Sequence, residues 1–145
     1  MKEKSEVDKT LNKFEVSFKD AFMKTQLVII PAKIQGKEFY FIVDTGATLS
    51  SISEELLKYI ECNSLESEFT FEGINNSVLE ASREVELLLD INDFIFKETF
   101  AILDLKRTFE SLEESLEAPI MGLLGSEFLY KYCLTVDFDT LKIYK

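Results

Sequence analysis

Hydrophobic and polar residues alternate along most of this chain, with one dense exception. Val85, Leu87, Leu89 and Ile91 fall on every second position, which predicts a half-buried strand ending at the turn Asn92-Asp93. Phe94 to Phe96 and Thr99 to Leu105 carry further strand pattern beyond that turn. Phe14-Glu15-Val16-Ser17-Phe18 alternates too and predicts a short strand, and Leu134–Phe138 with Leu141–Tyr144 predict a closing hairpin around Asp139-Thr140. Leu27 to Ile30 is apolar and β-branched. Pro31 after it predicts a strand end or an edge strand, because proline has no N–H to give a ladder. Ala32–Ile34, the turn Gln35-Gly36 and Glu38–Val43 predict a second hairpin. Phe69–Glu72 and Val78–Arg83 predict two more strands, joined by the polar segment Gly73-Ile74-Asn75-Asn76-Ser77, a candidate mobile tip.

Helical spacing is rarer. Leu49, Ile52, Leu56 and Ile60 form one apolar stripe, and Ser51 with Glu54 fits a capping box, so a short helix is expected there. Phe109, Leu112 and Leu116 sit at helical spacing among Glu110, Glu113, Glu114 and Glu117, and Pro119 stops the segment. That pattern predicts an acidic amphipathic helix on the surface over Lys106–Ala118. A third helix, carrying Phe128, Leu129 and Tyr132, is expected to be capped by Ser126. The expected class is all-β, with two or three short helices. Residues 1–13 are highly charged and predict a flexible tail, leaving 14–145 as a single domain.

The dense exception is Phe39-Tyr40-Phe41-Ile42-Val43, which runs into Asp44-Thr45-Gly46-Ala47-Thr48. Five apolar residues in a row predict a strand buried on both faces. Such a strand delivers Asp44 to the edge of a dry core, where an unpartnered carboxylate is costly. Gly46 permits a tight turn and lets a backbone N–H approach the acid.

Composition narrows what that acid can do. The chain has no His, so a zinc site or a Ser/Cys–His catalytic pair is close to excluded, and no metal or cofactor is expected. Cys62 and Cys133 lie far apart, without a CxxC, and are expected as free thiols. A net charge of −11 argues against nucleic acid and anionic membrane as partners. No apolar run approaches membrane-spanning length, and no signal-peptide apolar region opens the chain. The expectation is a cytoplasmic protein if the sequence is full length, and otherwise one exported with a signal removed.

One carboxylate does little hydrolysis alone; general acid–base work needs two with separated affinities for the proton. No second Asp-Thr/Ser-Gly occurs in the chain, and Asp137 and Asp139 lack a following glycine turn. The partner acid is missing, or a second copy of the chain supplies it.

The apolar strand, Asp44-Thr45-Gly46-Ala47-Thr48, and then Leu123-Leu124-Gly125 followed by a helix, together resemble the retropepsin-like aspartic proteases over roughly Leu27 to Tyr144. That resemblance implies a closed-barrel-like acid protease fold, one subunit of a homodimer, hydrolysing a peptide or protein substrate. It implies Asp44 as the catalytic acid from each chain. Thr45 would bond across the dimer axis, Gly46 would offer its N–H to the carboxylate, and Ala47 would complete the supporting turn. Leu123, Leu124 and Gly125 would buttress that turn as a loop beside it. Gly73, Ile74, Asn75, Asn76 and Ser77 would form a flap over an extended peptide, although Gly73 is its only glycine. The terminal segments Phe14–Phe18 and Ile143–Lys145 are candidate dimer strands, unless they pair within the subunit. The acidic helix looks like an insertion that would cap the dimer or overhang the cleft, against the plainer expectation of a solvated face. A catalytically silent peptide-binding or dimerisation module on the same fold is the alternative function.

Overall fold

The computed structural model of the chain describes residues 13–62, 65–66, 71–72, 78–79 and 83–145. The charged tail up to residue 12 and the tip Gly73–Ser77 lie outside the described residues. The described part begins with β1 (Glu15–Ser17), α1 (Lys19–Thr25) and the hairpin of β2 (Ile29–Ile34) and β3 (Lys37–Val43). Gln35 and Gly36 turn this hairpin with φ of 53° and 81°, the left-handed pair that a two-residue connection between right-twisted strands requires. β4 (Ser51–Ser53) runs into a 3₁₀ turn, Glu54–Lys58. Three two-residue strands follow: β5 (Leu65–Glu66), then β6 (Phe71–Glu72) and β7 (Val78–Leu79), which pair with each other. The long hairpin β8 (Arg83–Ile91) and β9 (Phe94–Leu103) leads to α2 (Lys106–Leu116). β10 (Ile120–Leu124), α3 (Ser126–Lys131), β11 (Thr135–Asp137) and β12 (Lys142–Tyr144) complete the chain.

Six strands are hydrogen-bonded in the order β2-β3-β10-β4-β9-β8, and a β2–β8 pairing at Lys33 and Asp90 closes them into a barrel. The all-β, closed-barrel expectation with short helices is met. β3 is buried on both faces, as its composition requires. Phe39, Phe41 and Val43 point into the barrel core, and Phe41 packs on Phe100 with ring centroids 5.9 Å apart. Ile42, with half-buried Tyr40 beside it, points outward into a second apolar cluster formed by Ala21, Ile29, Phe109, Leu116 and Ile120.

That second cluster receives the acidic amphipathic helix expected over Lys106–Ala118. α2 buries Phe109 and Leu116 against the outer face of the barrel, with α1 beside it. Glu110, Glu114 and Glu117 face solvent, so the charged side of the helix is the solvated one. Helix α1 itself had no clear sequence signal, since Ala21 is its one buried residue.

Two further differences are local. The stripe from Leu49 to Ile60 is helical only in part: Ser51–Ser53 is a strand held between β10 and β9, the 3₁₀ helix is confined to Glu54–Lys58, and Leu49 is 52% exposed. The helical cap falls at Ser53, whose hydroxyl accepts from the Glu55 N–H, rather than at Ser51. Pro31 lies inside β2 and does not end it. It stands opposite Tyr40, whose N–H turns away to the Pro119 carbonyl, so the pairing with β3 asks no N–H of the proline.

The terminal strands pair within the subunit. β1, β12 and β11 form a three-stranded sheet, with Glu15 opposite Tyr144. At its closing turn, Asp137 accepts the Asp139 N–H and bonds to Thr140, which holds its carboxyl below the usual value. Aromatic edges join this sheet to the barrel: the Phe14 ring meets Phe96 at 4.9 Å, and Phe96 meets Tyr132 at 4.9 Å.

Candidate active site

Asp44 leaves the end of β3 at the point where β10 passes between β3 and β4. β10 runs parallel to β3, with Leu123 opposite Ile42 and Leu124 opposite Val43. On its other side it runs antiparallel to β4, with Leu123 opposite Ser51. The connection from Asp44 to Ser50 therefore has to cross the end of β10. Leu123 and Leu124 are the last residues of that strand rather than a loop, and Leu124 is fully buried.

The crossing is fastened by backbone hydrogen bonds. The Asp44 N–H donates to the Leu124 carbonyl at 3.0 Å. The Ala47 N–H donates to the Asp44 carbonyl at 3.1 Å, closing a tight turn. Inside it the Gly46 N–H donates to Asp44 Oδ1 at 2.9 Å. One carboxylate oxygen is thus fixed by the turn that follows it, and among the described residues the other has no hydrogen-bond partner. Asp44 is half-buried; Thr45 and Gly46 are exposed.

The start of α3 completes the bracing. A helix N-terminus has N–H groups with no partner inside the helix. Here the Ser126 N–H donates to the Ala47 carbonyl at 2.8 Å, and the Glu127 N–H to the Thr48 carbonyl at 3.1 Å. Backbone of the Asp44 turn does what a capping side chain does elsewhere. Gly125, not Ser126, is the cap residue, and it makes no side-chain bond. A Cβ at Gly125 would lie 2.6 Å from the Thr48 carbonyl oxygen and 2.7 Å from that of Leu49, so only glycine fits under the turn.

The structure thus brings Asp44, Thr45, Gly46, Ala47, Leu123, Leu124 and Gly125 together in one place. Gly73, Ile74, Asn75, Asn76 and Ser77 fall outside the described residues, flanked by β6 and β7. Two residues of the site neighbourhood had no place in the sequence expectations. Ser50 is buried, and its Oγ accepts from the Gly125 N–H at 3.1 Å. The same hydroxyl donates to Glu98 Oε2 at 2.9 Å. A signal existed: Glu98 stands in phase with Phe96, Phe100 and Ile102 on β9, a carboxylate at an inward strand position. Among the described residues no group of three His, Cys, Asp or Glu is placed to hold a metal ion, and no helix is long and apolar enough to cross a membrane.

A sequence model of a family described as aspartyl protease matches residues 30–128, more than half of the chain. No curated protein sequence matches the chain significantly. Among solved structures, a retropepsin-like aspartic protease from Rickettsia conorii aligns with a TM-score of 0.52 at 16% identity, covering 92% of this chain and 90% of its own. The retroviral protease-like domain of Ddi1 from Leishmania major aligns with a TM-score of 0.50 at 9% identity, covering 82% of this chain and 92% of its own. At these identities the two structures speak to the fold alone.

Proposed function

The chain belongs to the aspartyl protease family and has its retropepsin-like fold, and from that premise we propose that it is an aspartic endopeptidase working as a homodimer. The observation that carries this reading is the Asp44 turn. It pins one carboxylate oxygen with the Gly46 N–H, leaves the other without a partner among the described residues, and stands on a strand end braced by backbone hydrogen bonds. With one such turn per chain, a two-fold axis supplies the second acid as Asp44 of the partner subunit.

Two carboxylates about 3 Å apart cannot both ionise, which is the general situation in aspartic proteases. They share one proton and titrate as a pair. The ionised Asp44 takes a proton from a water molecule, and the oxygen attacks the scissile carbonyl carbon. The protonated acid hydrogen-bonds the carbonyl oxygen as negative charge develops there. When the tetrahedral intermediate collapses, the C–N bond breaks and the nitrogen leaves with a proton from the dyad. The Gly46 N–H holds one oxygen of the acid in place. Thr45, exposed at the turn, is suited to meet the partner's turn. An extended peptide would bind by strand addition, with Gly73–Ser77 closing over it.

Asp44→Asn tests the reading. It should lower kcat/KM on a peptide library by at least about a hundredfold, given what one positioned acid–base group contributes, while sedimentation still shows a folded dimer. Dilution of wild type should lower specific activity. Equal cleavage by wild type and Asp44→Asn would refute the enzyme; peptide binding without cleavage by either would favour a silent module.

A further inference from the structure

Glu98 is a carboxylate only 9% exposed, in line with the aromatic interior of β9. Burying a carboxylate is costly unless bonds to its charged form repay the lost hydration. Its partners are few and directed. Oε2 accepts from the buried Ser50 hydroxyl at 2.9 Å, Oε1 accepts from the Thr99 N–H at 3.3 Å, and the Lys131 ammonium stands 4.0 Å away. Glu84 and Glu127 line the same cavity of about 420 Å³.

A carboxylate only accepts, so it sets the direction of the hydroxyl beside it. The Ser50 proton points to Glu98, which leaves a Ser50 lone pair facing the Gly125 N–H at 3.1 Å. Gly125 follows Leu124, whose carbonyl receives the Asp44 N–H, and lies beneath the Thr48 and Leu49 carbonyls of the same turn. The relay therefore runs from a buried acid on β9 to the residue on which the Asp44 turn rests.

We propose that Glu98 is a positioning residue for Asp44, acting through Ser50 Oγ and the Gly125 N–H. The proposal rests on the aspartic protease reading of Asp44. Glu98 touches no reacting atom; it fixes where the turn sits, and hence the aim of the carboxylate. In such sites small misplacements cost rate far more than they cost binding.

The chain has five glycines, so ¹⁵N-glycine labelling of the full protein gives a spectrum in which two amides report directly. Gly125 reads the end of the relay, and Gly46 reads the Asp44 carboxylate. Glu98→Ala and Ser50→Ala should each speed Gly125 amide exchange about tenfold or more, shift the Gly46 resonance, and lower kcat about tenfold or more with KM little changed. Glu98→Gln keeps an accepting oxygen and should restore each readout to within about threefold of wild type. The double variant should be no slower than the slower single, because both cut one relay. Should Glu98→Ala fail to fold, Ser50→Ala removes only a hydroxyl and decides alone. Folded variants with wild-type Gly125 exchange, Gly46 shift and kcat would overturn the proposal. If wild type and Asp44→Asn cleave alike, the protease reading falls instead, and the two glycine amides still decide whether Glu98 positions the turn.

Discussion

Gly125→Ala puts a methyl group where the structure has no room for one. Its Cβ would stand 2.6 Å from the Thr48 carbonyl oxygen, roughly 0.8 Å inside the 3.4 Å at which ordinary contact begins. The obstructing atoms are backbone, and the Glu127 N–H holds the Thr48 carbonyl from the other side, so no side chain can swing away. Overpacking of this kind costs about 1–3 kcal/mol, and rigid neighbours put this case near the top. Gly125 has φ −84° and ψ 178°, open to alanine, so the substitution also gains about 0.4–1 kcal/mol by restricting the unfolded chain. The net loss is about 2 kcal/mol, which for a domain of this size lowers Tm by about 8 °C. Circular dichroism melts at one fixed protein concentration would measure it, since association alters Tm by mass action. Gly36→Ala is the control: nothing lies within 4 Å of its Cβ, but φ of +81° should cost about 1 kcal/mol without touching the site. A Gly125→Ala Tm at or above that of wild type would refute the packing argument.

Phe109→Ala should cost about 3–5 kcal/mol, because Phe109 is fully buried and anchors α2 to the barrel; a loss under 1 kcal/mol in urea titration would mean the second cluster carries little. Burial pushes the Glu113 carboxyl up, the Ile120 N–H opposes this, and Glu110 and Glu55 add to the rise. A raised folded value means stability that is present below the ordinary carboxylate range and lost as pH rises through the folded value. Glu113→Gln should therefore melt higher than wild type at pH 7, with the difference fading as pH falls below the ordinary carboxylate value. A lower melting temperature at pH 7, or a difference constant with pH, would contradict that sign.

Much of the architecture was legible because several strands carry their own periodicity. The alternation of Val85 to Ile91, the Gln35-Gly36 turn and the unbroken Phe39–Val43 run each correspond to one physical environment. The failures share a cause. Ser51–Ser53 lies at helical spacing with Leu56 and Ile60, yet β10 and β9 supply ladders on both its sides, and that tertiary pairing overrides the local pattern. Lys97-Glu98 looked like an interruption between two strand segments because a buried carboxylate breaks the apolar phase; β9 runs through it. The Ser126 cap failed because carbonyls from residues 47 and 48, far away in sequence, already satisfy the helix N-terminus. Of the candidate site, Asp44 to Ala47 could be found from the motif, while Ser50 and Glu98 become partners only through the fold.

The passage of β10 between β3 and β4 also has a consequence in time. Ser50 and Gly125, which meet beneath the turn, are 75 residues apart. Closing so long a loop is entropically costly, and contacts of this range form slowly. During synthesis, Asp44 emerges on a hairpin long before the strand that seats it exists. Until β10 and the first turn of α3 are made, the acid lacks its backbone brace. The segment from β10 onward thus acts as a built-in delay on assembly of the Asp44 turn.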